Sequence, residues 1–338
     1  MMPSNLSTLI IAEAGVNHNG SLKIAKNLID IASSAGADIV KFQTFKTEDI
    51  VIKEAKKANY QSKNTSTDET QYQMLKNLEL SYEEFAILKL YCDEKDIEFL
   101  STAFDFDSLD FLVNLGIKRI KIPSGEITNL PYLRKASTYS LPIILSTGLS
   151  NLEEVGEAIN IIIQSGLDKN NMTILHCTSD YPAPLESVNL NAMKTIEKEF
   201  GVRVGYSDHT NNLEVAVAAV SLGASVIEKH FTISKDNSGP DHKASLEPKE
   251  LQQMISSIRN IEIAMGSKEK KPSESELQNL DVIRRSIVAK NIIKKGDLLT
   301  AHNIMTKRPG SGVSPMHWDQ MIGTEATRDY EKNEFIEK

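Results

Sequence analysis

Short runs of β-branched and aliphatic residues alternate along the chain with longer stretches whose apolar positions recur every three or four residues. The short runs are residues 9–14 (LIIAEA), 38–43 (DIVKFQ), 97–102 (IEFLST), 118–124 (KRIKIPS), 142–147 (PIILST), 172–177 (MTILHC), 202–207 (VRVGYS) and 225–230 (SVIEKH). Between most of them lie amphipathic stretches such as 22–33 (LKIAKNLIDIAS), 152–163 (LEEVGEAINIII) and 213–221 (LEVAVAAVS). Strand-length runs alternating with helix-length patterns predict parallel strands joined by helical crossovers. Eight such units in roughly 260 residues match a closed (β/α)₈ barrel, so the expected fold class is α/β of the TIM-barrel type. The rival, a doubly wound open sheet, usually carries a glycine-rich phosphate turn after its first strand. Residues 13–20 read EAGVNHNG and do not match G-x-G-x-x-G.

Two departures from the pattern divide the chain further. The connection from Thr44 to Leu80 is polar, long and poorly periodic, with KNTSTDETQYQ at its centre. A loop of that length in a compact domain is a lid or rim over a functional mouth, or a decorative insertion. The last helical pattern, 247–265, runs out at Gly266, and SKEKKPSESE reads as a linker. The expected division is therefore a catalytic barrel over 1–266, a linker over 267–283 and a small β-rich module over 284–338. The module is too small to be a catalytic domain by itself.

Composition narrows the class. Among 338 residues, 40% are hydrophobic and 25% charged, as in ordinary globular proteins. No apolar run reaches the roughly 18 residues needed to span a bilayer, and Met1 to Thr8 lacks the basic and small-residue features of a signal peptide. Two cysteines, Cys92 and Cys177, argue against a disulfide scaffold. The net charge of -8 disfavours nucleic acid as a partner. A cytoplasmic enzyme acting on small molecules, with neither membrane nor nucleic acid among its partners, is the expectation. Any anion must then be held by local cations and backbone N–H groups.

In barrels of this type chemistry sits at the C-terminal ends of the strands, and every run here ends in polar residues. They are Glu13, Asn17 and His18; Lys41 and Gln43; Ser101 and Thr102; Lys121, Ser124 and Glu126; Ser146 and Thr147; His176, Thr178 and Ser179; Ser207, Asp208 and His209; Lys229 and His230. His209 and His230 stand one βα unit apart, hence on neighbouring strand ends. Two converging imidazoles either ligate a divalent ion with open positions for water and substrate, or are each satisfied by hydrogen bonds. Lys41 and Lys121 fall inside strands buried on both faces, so each needs a carboxylate partner, with Glu13 or Glu126 in view, or a bound anion. Ser124-Gly125 and Ser146-Thr147-Gly148 supply hydroxyls and open backbone for phosphate oxygens. Cys177 reads as a packed thiol rather than a nucleophile.

The segments EAGVNHNG (13–20), VKFQTF (40–45), KIPSGE (121–126), LSTG (145–148), HCTSDYPAP (176–184), GYSDHT (205–210), EKHFT (228–232), GPDH (239–242) and KRPGSG (307–312) together resemble, in order, the sialic acid synthases. The resemblance covers nearly the whole chain, and the tail from about Ser286 resembles the antifreeze-like (SAF) module of that family. It implies condensation of phosphoenolpyruvate with N-acetylmannosamine and water to give N-acetylneuraminate and phosphate. The alternative is the same chemistry on 2,4-diacetamido-2,4,6-trideoxymannose, giving N,N'-diacetyllegionaminate. It further implies a domain-swapped homodimer in which the module caps the partner's barrel. By the same resemblance, His209 and His230 would bind Mn²⁺, or else Mg²⁺ or Co²⁺. Lys41, Thr102, Lys121, Ser124, Ser146, Ser179 and Ser207 would hold phosphoenolpyruvate. Gln43, Glu126, Tyr181 and Asp241 would meet the sugar, and Arg308 would reach its N-acyl group from the other subunit. Glu13 matches an active-site carboxylate whose role the resemblance does not fix; it or Glu126 would act catalytically by stabilising the positive charge that develops at C2. One departure is Ser179, where some members carry Asn; the shorter side chain puts a phosphate contact there in doubt.

Two other classes compete. A metal-dependent barrel hydrolase would typically want a His-x-His pair or bridging carboxylate, and no His-x-His occurs. A non-catalytic module that binds ice or carbohydrate gains nothing from the cation that KRPGSG sets in a glycine-rich turn.

Overall fold

The computed structural model describes residues 7–65 and 68–338. Most of the N-terminal segment weighed as a signal peptide, and Ser66 and Thr67 of the long connection, lie outside the described residues. The chain forms two compact units, residues 1–266 and 267–338.

The first unit is a closed barrel of eight parallel strands in sequence order. These are β1 (Leu9–Gly15), β2 (Ile39–Thr44), β3 (Glu98–Ala103), β4 (Ile120–Ile122), β5 (Ile143–Ser146), β6 (Met172–Cys177), β7 (Arg203–Asp208) and β8 (Val226–His230). The β-branched runs fix their positions to within one residue, except at β4, which is two residues shorter at each end. That strand stops after Ile122 because Pro123 has no N–H to donate and Ser124–Glu126 turns into a 3₁₀ helix. Crossover helices start at side chains that accept an orphan N–H, such as Ser21 from Ile24, Asp105 from Ser108 and Asn151 from Glu154. Their apolar stripes bury against the outer face of the barrel. Tyr132, Phe85, Phe99 and Ile227 belong to this outer layer.

Inside the barrel the alternate residues form a separate cluster of Ile11, Ile39, Leu100, Ile144, Leu175 and Val226. This plug closes the lower barrel and leaves the C-terminal ends of the strands open for a site. The connection 44–80 is not structureless. Its described residues contain three short helices, Thr47–Ile50, Asn59–Asn64 and Gln71–Leu78, each too short to leave a clear helical period in the sequence. Val16, Phe45, Met74 and Leu78 bury together into a satellite core there. No helix among the described residues is long and apolar enough to cross a membrane.

In the second unit, the segment 267–283 carries two helical turns, Glu274–Leu277 and Leu280–Ile283. Beyond it, β9 (Ser286–Ala289) pairs antiparallel with β10 (Ile304–Lys307). A core of its own holds this unit, with Ile287, Leu299, Ile304, Met321, Tyr330 and Ile336 buried.

Candidate active site

Strand register brings the polar residues to one level. Glu13 lies opposite Lys41 and, on the other side, His230; Thr102 lies opposite both Gln43 and Lys121; Ser207 lies opposite both Cys177 and Glu228. These side chains line a cavity of about 520 Å³ at the C-terminal mouth. β1 bends at Gly15, whose φ of +54° suits glycine, and a Cβ there would sit 3.3 Å from Gln43 Nε2, Glu13 Oε1 and His230 Cε1. A side chain would therefore press on three groups of the cavity at once.

The floor is a buried ion network. Lys41 pairs with Glu13 and lies 3.6 Å from Glu228; its Nζ also donates to Thr102 Oγ1 at 2.9 Å. Lys121 lies 3.4 Å from the same Glu228 and donates to Ser146 Oγ at 2.8 Å. Burial pushes the Glu13 carboxyl up to about 7, although the Lys41 ammonium opposes the shift. Glu228 is buried equally, but Lys121 and Lys41 together outweigh that effect and hold it down to about 2. Burial would lower Lys41 as well, yet its two glutamates raise it; for Lys121 burial wins and the shift is downward. The cavity floor thus presents two ammonium groups tied to one firmly ionised carboxylate, beside a second carboxyl that exchanges its proton near neutrality.

One wall is aromatic and imidazole. The rings of His209 and His230 stand 5.6 Å apart, and Tyr181 covers His209 at 4.1 Å. His209 Nδ1 donates to the Thr178 carbonyl at 2.6 Å, which turns Nε2 toward the cavity. His230 Nδ1 is buried without a hydrogen-bond partner; the nearest carboxylate oxygen, on Asp241, is 4.0 Å away. Burial lowers His209 to about 4 and His230 well below its ordinary value, so both rings are neutral. Burial also raises Asp241 to about 6. Neutral imidazoles, one braced by a carbonyl and the other with a spare nitrogen, are the form that ligates a divalent ion. Among the described residues no third His, Cys, Asp or Glu joins them in a ready ligand group. An ion held here would take its remaining ligands from water or substrate, so the donor set fits a catalytic site and not a closed structural one.

A second wall is built from small turns. The Gly148 amide donates to Ser124 Oγ at 2.9 Å, and Ser124 Oγ lies 3.3 Å from Cys177 Sγ. A Cβ on Gly148 would collide with Ser179 Oγ and crowd Ser124 Oγ at 2.9 Å, so the turn stays open only because of glycine. Burial raises the Cys177 thiol, in keeping with a packed group. Glu126 lies farther out and accepts from Asn129 Nδ2; Gln43 Nε2 donates to Glu13 Oε1 at 3.3 Å.

The structure redraws several sequence expectations. Strand-end polar residues do not all face one mouth, because successive side chains alternate between faces. His18, Ser101, Thr147, His176, Asp208 and Lys229 are absent from the cavity lining. His176 Nε2 donates to the Val188 carbonyl, and Lys229, fully buried, pairs with Asp208 at 2.8 Å. The carboxylate partner of Lys121 is Glu228 and not Glu126, which sits past the strand end. Glu228 was missed, although the two-residue period through Val226 and His230 marks it as inward. Arg308 belongs to the second unit, where its Nε donates to the Ile283 carbonyl at 2.9 Å.

Comparison with known proteins places the chain. The model of the NeuB family matches residues 28–270, and that of the SAF domain residues 284–338. N,N'-diacetyllegionaminic acid synthase from Campylobacter jejuni is 52% identical over 97% of this chain and 98% of its own length. The protein of the same description from Legionella pneumophila is 47% identical, over 95% of this chain and 91% of its own. The crystal structure of the N-acetylneuraminic acid (sialic acid) synthetase from Leptospira borgpetersenii, in complex with citrate, superposes with a TM-score of 0.71. Its identity is 31%, covering 82% of this chain and 94% of that one.

Proposed function

The chain belongs to the NeuB family, and from that premise we propose that it is an N,N'-diacetyllegionaminate synthase, condensing phosphoenolpyruvate with 2,4-diacetamido-2,4,6-trideoxymannose and water. The observation that carries the reading is near-full-length identity of 52% and 47% to two proteins of that description. The sequence alone favoured N-acetylmannosamine as the sugar; the Leptospira synthetase with that kind of product stands at 31% identity. The relatives support the alternative sugar over the first choice.

The residues suit the chemistry. Lys41 and Lys121, with Thr102, Ser146 and Ser207, can hold the carboxylate and phosphate of the enol, while Ser124, Gly148 and Ser179 offer an open turn to phosphate oxygens. Held there, C3 of the enol faces the open-chain aldehyde, which makes the encounter effectively unimolecular. Gln43, Glu126, Tyr181 and Asp241, which all line the cavity, would meet the sugar. A divalent ion on His209 and His230 would supply Lewis acidity for the aldehyde oxygen; Mn²⁺ is the preferred candidate, with Mg²⁺ or Co²⁺ as alternatives. As the C3–C1 bond forms, Glu13 gives its proton to the aldehyde oxygen, and positive charge develops at C2. Glu228, fixed as an anion, faces that charge. Water then adds at C2 and returns a proton to Glu13. The C2–O bond to phosphate breaks, the C2 hydroxyl becomes the ketone, and its proton leaves with the phosphate.

Arg308 acts in this scheme from a second copy of the chain, as part of a domain-swapped homodimer. Incubation with phosphoenolpyruvate and each sugar, with phosphate release and product mass as readouts, tests the function. The diacetamido sugar is expected to give the higher kcat/KM, and preference for N-acetylmannosamine would overturn the assignment.

A further inference from the structure

The floor of the cavity is polar, and the excursion between β2 and β3 adds a group of apolar side chains to its lining beside the polar Asp49, Gln61 and Gln71. Phe45, Met74 and Leu78 are buried in the satellite core, and Ile50, Leu75 and Phe104 pack on it partly exposed. All six line the cavity that contains Lys41, Lys121 and the two histidines. The Phe45 and Phe104 rings meet edge to face at 6.2 Å. The excursion is also tied across the mouth. Asn64 Nδ2 donates to the Pro240 carbonyl at 3.0 Å, next to Asp241, and Tyr60 packs on Tyr181 with ring centres 4.9 Å apart. This wall is therefore anchored to the loop that carries a sugar-side carboxylate.

The ion network has no use for such a wall, since an enol phosphate and its carboxylate need only cations and N–H donors. The two candidate sugars differ in just the property the wall would sense. N-acetylmannosamine carries hydroxyls at C4 and C6. The 2,4-diacetamido-trideoxy sugar carries a methyl carbon at C6 and, at C4, a second acetamido group that ends in a methyl. Against aliphatic side chains the second sugar gains buried apolar surface, whereas the first would set hydroxyls against side chains that offer them no hydrogen bond.

We propose that the wall of Ile50, Met74, Leu75 and Phe104 is the specificity determinant for the aldehyde substrate, receiving the deoxygenated C6 and an acyl methyl. This assignment rests on the proposed function and adds to it the residues that select the sugar. An apolar contact of this size discriminates by on the order of 10- to 100-fold.

The test is kcat/KM for both sugars in the wild-type enzyme and in Leu75→Gln and Ile50→Thr, with KM for phosphoenolpyruvate and thermal unfolding followed in parallel. Both positions are partly exposed, and glutamine is a good helix former, so the fold should tolerate the changes. The expected result is a loss of about 10-fold or more on the diacetamido sugar. N-acetylmannosamine should be little affected or improved, and KM for phosphoenolpyruvate should stay unchanged. An equal loss on both sugars, or no loss in folded variants, would overturn the wall as the selector while leaving the function intact. A wild-type enzyme that prefers N-acetylmannosamine would overturn the function and this assignment together.

Discussion

Glu13 is buried between Lys41 and Gln43, and its carboxyl titrates near 7 because burial outweighs the neighbouring ammonium. Below that pH the folded protein keeps a proton that the unfolded chain releases from about 4.5 upward. The stability this group contributes is therefore full below about 4.5 and declines as pH rises through about 7. As the proposed proton donor to the aldehyde, it should make kcat fall along an upper limb as pH rises through about 7. Glu13→Gln is expected to lower kcat by about 100-fold or more and to remove that limb from the pH–rate profile; a limb that persists in the variant would assign it to another group. Lys121 differs, since its proposed role is to supply charge. Lys121→Met removes a charge-assisted contact worth about 1.5–3 kcal/mol. KM for phosphoenolpyruvate should rise about 10- to 100-fold, with a smaller change for the sugar. The same change leaves Glu228 with Lys41 alone, so the thermal midpoint should also drop.

Single elements carry the geometry that these residues need. The loop after β8 carries Asp241, and Asn17, on the turn after β1, clamps it. Asn17 Nδ2 donates to the Phe231 carbonyl at 2.8 Å and to Ser245 Oγ at 2.9 Å, and Ser245 Oγ donates to the Asp241 carbonyl at 2.7 Å. Asn17→Ala should destabilise the protein by about 1–3 kcal/mol, because buried partners lose their bonds. It should also raise KM for the sugar and leave KM for phosphoenolpyruvate nearly unchanged, which steady-state kinetics on both substrates would check. The clamp was legible only as residue types, since EAGVNHNG reveals polar groups without showing which loop they hold. β8 was more readable: its run was recognised, but the face of Glu228 follows only when period two is applied strictly through His230. The excursion 44–80 was least readable, because short helices packed on one face leave a mixed pattern.

For the whole molecule, the proposed ion and the proposed exchange of C-terminal modules make separate predictions. His209→Ala, or rigorous chelation of the wild type, should abolish turnover; restoration of the chelated enzyme by Mn²⁺ would identify a sufficient ion, and full activity after chelation would refute the metal role. Co-expression of His209→Ala with Arg308→Ala chains tests the dimer. If Arg308 serves the partner's barrel, the mixed dimer contains one barrel with both histidines and the other chain's arginine. Activity on the sugar should then exceed that of either variant alone; no such gain would place Arg308 in its own chain's site, and an Arg308→Ala chain fully active by itself would place it outside catalysis. The sequence by itself determined the alternation of strands and helices, the closed barrel and the end of it that carries polar groups, because hydrophobic period and βα length are local properties of the chain. It also marked where the barrel pattern gives way to a small β-rich tail. Only the tertiary structure decided which polar residues share a cavity, that Glu228 joins two lysines, and that the long excursion supplies an apolar wall. Those facts depend on strand register and on loops meeting across the mouth, and contacts between residues so distant in sequence are set by packing.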